Sequence, residues 1–416
     1  MFDDLTRRRF LQSSLGGLAL LPVACAQEAA DADTQPPPAE TPLTPENVST
    51  IFRVNGIPTE PFAPGSNRHA GIDALIDLMS RSSLMLYRSS RTSALAGARG
   101  LIAADDIVLV KVNAQWKYRG CTNSDVVRGL IQRLLEHPDG FRGEIVIVEN
   151  GQGRGSLKCD TASSYGGDTS VHANANDERH SFVYLVDEIF RDARVSAYLL
   201  DPIRSRFITD SDHATDGYRR FENVSYPCFT TRGGRRVELR EGVWNGTNHT
   251  ASLKLVNAPV LKHHDTGGSE ITGAVKHFYG LVSMSDGNNT RHYTGLGDTC
   301  GKMIASVCTP VLSILDAIWV SHRALTGTPG NAVRVNQLVA SQDPVALDYW
   351  ASKYVLYPID NNARHAPDFA GIDRWLTDAM NTINARGGLF REALGVRVQN
   401  ATKLESAMRL ESYQVA

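Results

Sequence analysis

Two β-branched runs flank a sixteen-residue stretch that carries one apolar helical face. DDIVLVKVN (105–113) and GEIVIVENGQG (143–153) each hold a β-branched core short enough to be a strand buried on both faces. Between them, TNSDVVRGLIQRLLEH puts Val126, Val127, Leu130, Ile131, Leu134 and Leu135 on one helical face, with caps available at Thr122 to Asp125. Strand, helix, strand in that order is a βαβ unit, which requires a parallel pair and a sheet covered on both sides. Further strands are expected at VSAYLL (195–200), SLKLVNAPVL (252–261), SILDAIWV (313–320) and AVRVNQLVA (332–340). The fold class is therefore α/β: a mainly parallel sheet flanked by helices, with an irregular polar insertion.

That insertion is placed near 155–250, where the chain is rich in Gly, Asn, Asp and Arg. The core is expected over 66–360, beginning with a helix in which Ile72, Leu75, Ile76 and Met79 share a face, and a helical segment over 361–416 packs on it. Residues 27–65 (QPPPAETPLTPEN and its flanks) read as a disordered Pro/Ala/acidic linker. Residues 1–26 read as an export signal. TRRRFLQ has the twin-arginine form, and the apolar run LGGLALLPVA is far shorter than the roughly 20 residues a membrane-spanning helix needs. Cleavage is expected after Ala26, with lipidation of Cys25 as the alternative, so the mature chain is expected in the periplasm or anchored to the envelope. The twin-arginine translocase is the partner this implies, and no transmembrane segment is expected in the mature chain.

Composition limits the partners. The net charge of −2 leaves no excess of basic residues for nucleic acid or an anionic membrane surface. Cationic work must be local. Past Cys25, the cysteines (Cys121, Cys159, Cys228, Cys300, Cys308) contain no C-x-x-C, so ordinary iron–sulfur and zinc-ribbon spacings are absent; buried thiols, with one or two disulfides, are the plain reading.

The local concentration is VLKHHDTGGSEITGAVKHFYGL (260–281). Lys262 and His264 follow a strand two residues apart, so they point the same way. Thr272 and Gly273 read as a helix start: Thr272 as cap, Gly273 admitting a ligand to the first amides, and Lys276 on the same face. A carboxylate or phosphate on a helix N-terminus among lysines is a site that physics favours; a solvated loop beside a capped core helix is the bland alternative. Lys111 and Asn113 end a buried strand, where ligands gather in open α/β sheets. A lysine there needs either an anion or a structural Asp/Glu partner. His263, His264, His277 and His292 are candidate metal ligands, although they match no standard zinc spacing. In ASQDPVALD (340–348), Asp343 before Pro344 explains itself as an N-cap; Asp343 or Asp348 is alternatively free to order a ligand lysine or a metal. ENGQGRG lacks the lysine of a phosphate loop and reads as loop. No G-x-S-x-G is present.

In order, VLVKVN, VNAPVLKHH, ITGAVKHFYGLVS, ILDAIWV and ASQDPVALD resemble the core blocks of the domain of unknown function 362 family, over roughly 105–357. The resemblance implies Lys111, Lys262, His264, Lys276, Asp343 and Asp348 as motif positions. It has His277 where relatives carry asparagine, and it lacks the ferredoxin-like cysteines of several relatives. Two functions follow as expectations. One is an enzyme or cofactor-handling protein in which Lys111, Asn113, Thr272, Gly273, Lys276 and Asp348 bind a small anion while His264, Lys262 and Asp343 do the chemistry. The other is an anion- or metal-binding protein without turnover. The cofactor is not named by the sequence.

Overall fold

The structure is a computed structural model that describes residues 42–200, 217–264, 269–283 and 292–415. The export signal, Cys25 and the first part of the expected linker lie outside the described residues. Among the described residues, ten strands form one sheet. In chain order they are β1 (Ser49–Asn55), β2 (Ile107–Val112), β3 (Glu144–Glu149), β4 (Val195–Leu199), β5 (Leu253–Ala258), β6 (Val260–His263), β7 (Ile271–Thr272), β8 (Leu312–Ser321), β9 (Ala332–Ser341) and β10 (Met408–Gln414). The spatial order is β10-β1-β9-β8-β5-β2-β3-β4, and β6 continues beside β8 with β7 antiparallel to it. β8, β5, β2, β3 and β4 are mutually parallel; β9 runs antiparallel to β8 and to β1.

Alternation along the parallel strands builds two cores. Ile107, Leu109, Val146, Val148 and Leu255 face one layer; Val108, Val110, Val112, Ile145, Ile147 and Val256 face the other. Helices α1 (Ala70–Arg81) and α2 (Ser124–Leu135) cover the second layer with Ile72, Leu75, Val126, Val127 and Leu130. Each has a side-chain cap. His69 Nδ1 accepts from the amides of Gly71 and Ile72, which needs a neutral ring, and burial pushes His69 down to about 3. Asn123 Oδ1 accepts from Asp125 and Val126 at 2.9 and 3.2 Å. The first layer is covered by the short α3 (Ala274–His277), α4 (Leu296–Lys302), α5 (Pro344–Ala351) and α6 (Ala370–Ala385).

Three boundaries differ from the sequence expectation. The linker was drawn to residue 65, but Ser49–Asn55 is β1, with Ile51 and Val54 fully buried between β9 and β10. Pro and acidic residues around STIFRVN masked a seven-residue segment whose Ile51, Phe52 and Val54 need only a sheet edge to become a strand. The C-terminal segment contains helix α6 and then β10, which pairs parallel with β1 from Ser49↔Met408 to Asn55↔Gln414. The insertion is irregular over 155–180, but residues 217–250 carry a five-stranded antiparallel sheet whose Val224, Tyr226, Cys228 and Val237 pack into the first core. All five described cysteines are free; Cys308 is half-buried and the rest are buried. No described helix is long and apolar enough to cross a membrane.

Candidate functional site

From β2 the chain steps outward to β3 and β4, then returns to β5 on the other side of β2. The ends of β2 and β5 are thus a topological switch point, where two loops leave in opposite directions and open a crevice. A cleft of about 440 Å³ lies there. Its lining includes Lys111, Asn113, Lys262, His264, Thr272, Lys276, His277 and His292, so most of the residues singled out in the sequence meet in one place. It also includes Glu149, Arg154, Trp116, Tyr279 and Tyr293, which sequence reasoning missed.

Lys111 is buried and forms an ion pair with Glu149 at the end of β3, and its Nζ donates to Val112 O at 3.1 Å. Gly280 makes the room: a Cβ there would stand 2.5 Å from Lys111 Nζ. Burial pushes the Glu149 carboxyl up to about 7, with Lys111 working against it, and burial lowers Lys111. The Lys111 charge is therefore largely spent inside the protein. Asn113 ties strand ends together, its Oδ1 accepting from Val260 N at 2.9 Å.

Lys262 is also buried but, among the described residues, meets no carboxylate in direct contact. Its Nζ donates to Gly120 O at 2.5 Å and Leu325 O at 3.0 Å. Burial pushes it down to about 7; nearby Cys121 and Glu149 pull it up, while Lys276 and Lys111 push it further down.

Lys276 is the hub of the basic group. Its Nζ lies 2.6 Å from His292 Nε2 and 3.2 Å from His264 Nε2. An ammonium only donates, so while Lys276 is charged both Nε2 atoms accept and both rings are neutral. His264 Nδ1 then carries its proton toward Ser269 Oγ at 3.2 Å. The two rings stand edge to face at 5.3 Å, and Tyr279 and Tyr293 pack on His292. Across the cleft, the exposed Arg154 lies over the Trp116 ring at 5.8 Å.

The four histidines do not converge on one point. His263 points away from the cleft lining, with Nδ1 2.9 Å from His365 Nε2, and His365 Nδ1 lies 3.4 Å from Asp360. This is the alternation that separates it from Lys262 and His264. His277 is buried with Nδ1 2.6 Å from Asn257 Oδ1; burial and the charge of Lys111 hold it well below the ordinary imidazole range. Among the described contacts, His264 and His292 share a partner, the Lys276 amine. Among the described residues no group of three or more His, Cys, Asp or Glu is placed to hold a metal ion.

The helix start expected to hold an anion already has one. Asp348, fully buried on α5, accepts from Ala274 N at 2.5 Å and Val275 N at 2.9 Å. Gly273, not Thr272, is the N-cap residue, and it admits this carboxylate: a Cβ on Gly273 would fall 2.2 Å from Asp348 Oδ1. Asp348 and Gly273 thus meet each other at the α3 start, and neither is among the described residues that line the cleft. The protein's own carboxylate occupies the position a free anion would need. Thr272 is left to line the cleft with a buried hydroxyl that has no partner among the described residues. Asp343 is away from the cleft lining. It caps α5 ahead of Pro344, accepting from Val345 N and Ala346 N, and its other oxygen accepts from Ser49 Oγ at 2.7 Å and Thr402 N at 2.9 Å. With four donors satisfied, it joins β1, α5 and the C-terminal segment and does not reach a ligand lysine.

No curated protein and no solved structure matches the chain. Residues 235–353, which carry Lys262, His264, Thr272, Lys276, His277 and both aspartates, match the family described as a domain of unknown function (DUF362); Lys111 and its strand fall outside the matched segment.

Proposed function

We propose that this chain is an exported enzyme that binds a small carboxylate or phosphate in the cleft at the switch point, with Lys276 as the main anion contact and His264 as the acid/base group. The observation that carries the reading is the Lys276–His264–His292 cluster on the cleft wall. It places Lys276, two imidazoles and the Thr272 hydroxyl, which has no partner among the described residues, around one space in which the carboxylate of the described lining residues, Glu149, is already paired with Lys111. An anion bound at Lys276 would draw its ammonium proton away from the rings and free an Nε2 lone pair to take a proton from the ligand. The twin-arginine form of Thr6 to Gln12 supports export in the folded state through that translocase, and so a periplasmic or envelope-anchored protein.

The test is thermal stabilisation by phosphate, sulfate, oxalate and pyruvate, each compared with chloride. Lys276→Met keeps the volume and removes the charge. Loss of one charge-assisted hydrogen bond, about 1.5–3 kcal/mol, weakens the best anion by roughly 10- to 150-fold. Equal stabilisation of wild type and variant would remove Lys276 from the site. His264→Ala separates turnover from binding alone: it should still bind the anion but lose any activity found with it.

A further inference from the structure

The proposed function does not use the most unusual lysine of the cleft. Lys262 is 2% exposed, yet among the described residues no acid stands against its nitrogen. Its two protein contacts are both backbone carbonyls, Gly120 O and Leu325 O. A neutral amine has two N–H groups and one lone pair. Two carbonyls accept the two N–H groups, the bond to Cε takes a third direction, and one tetrahedral position remains. Lys262 lines the cleft, so that position is the one a ligand can meet.

We infer that Lys262 is a nucleophile that forms an imine with a carbonyl-bearing anion, a small 2-oxo acid, bound in this cleft. The inference rests on the anion reading above and names the substrate class. Lys276 is close enough for its charge to act on Lys262, which puts a carboxylate anchor beside the nucleophile. Thr272, whose hydroxyl is orphaned, sits opposite Lys262 in the β6–β7 ladder and is free to donate to the carbonyl oxygen. The chemistry balances as follows. The Lys262 lone pair forms a C–N bond while the carbonyl π pair moves to oxygen and picks up a proton. The nitrogen then gives up one proton. Its remaining pair closes the C=N bond as the C–OH bond breaks and the hydroxyl leaves with another proton as water. One amine, one carbonyl and one proton become a protonated imine and water. Glu149, whose charge also reaches Lys262 and whose carboxyl burial pushes up to about 7, is the acid–base group able to pass these protons. An ordinary lysine near about 10.4 is almost wholly an ammonium at neutral pH, whereas burial pushes Lys262 down to about 7 and so favours its free amine.

The experiment is reductive trapping on the full chain at neutral pH, with pyruvate and with glyoxylate, using cyanoborohydride and reading intact mass and a peptide map. The expected result is a single adduct on the Lys262 peptide, formed at least about tenfold faster than on any surface lysine. The adduct is absent in Lys262→Arg, which keeps a charge but cannot form the imine. Should that variant fail to fold, the wild-type pH profile decides: trapping at Lys262 should rise through about 7, following its amine. A rise confined to the ordinary lysine range, or adducts spread over surface lysines, overturns the inference. Thermal stabilisation by the same two acids without reductant separates the two readings. Stabilisation with an unmodified Lys262 sinks the imine and leaves the anion site. Neither stabilisation nor adduct sinks both.

Discussion

Asp348→Ala should lower the free energy of unfolding by about 3–5 kcal/mol, because it strips two buried amides, Ala274 N and Val275 N, of their acceptor at about 1–3 kcal/mol each and leaves a small void. Water has poor access, since Asp348 is fully buried and Gly273 sits directly against it. The effect should also depend on pH. Burial pushes Asp348 up to about 7, with the amides of Val275 and Ala274 opposing it. An acid with a raised folded-state value holds its proton in the native protein while the unfolded chain has released it. Its contribution to stability therefore grows as pH falls from about 7 toward the unfolded value of about 3.9 and is constant above and below that window. Urea unfolding of both proteins at several pH values reads this directly: the gap should widen on acidification. A gap below about 1 kcal/mol at every pH would mean that the α3 start is capped by something else.

The Lys111–Glu149 pair gives the second large effect. Breaking a buried ion pair from one side leaves a stranded charge, so Lys111→Met and Glu149→Leu should each cost about 3–5 kcal/mol. The double variant should cost less than either single change, because no charge is left unpaired in the core. Chemical denaturation of the four proteins closes the cycle. Single and double effects that simply add would show that the two groups do not interact. The same proteins carry a functional readout. Since Glu149 already neutralises Lys111, the double variant should keep most of the anion-induced stabilisation that Lys276→Met removes.

The central sheet was legible because its signal is local. IVLVKV and EIVIVE are too apolar to face water on either side, and the helix between them has one continuous face. Edge strands carry less of that signal. β10, MRLESYQ, holds exposed and half-buried residues and no buried one, and its pairing with β1 joins positions more than three hundred residues apart, so nothing near it in sequence announces it. The site was legible to the same extent. Lys111, Lys262, His264 and Lys276 stood out because a basic residue at a strand end or helix start demands an explanation. The answer to that demand came from afar. Glu149 ends a neighbouring strand, where the glycines of ENGQG drew attention away from the acid before them. Asp348 reaches the α3 start across 74 residues, and Arg154 and Trp116 enter the lining from two other loops. Residue type and spacing show which groups need a partner; only the tertiary fold chooses it, and here it chose the protein's own carboxylates for two positions that would also suit a ligand.

The most direct test of the account is a crystal soaked with phosphate or pyruvate, whichever stabilises the protein more, at a concentration that saturates the stabilisation. The account predicts the anion in the cleft within hydrogen-bond reach of Lys276 Nζ, with Asp348 still on the amides of Ala274 and Val275. An anion that displaces Asp348 from the α3 start, or one found only on the outer surface while the cleft holds water, would contradict it.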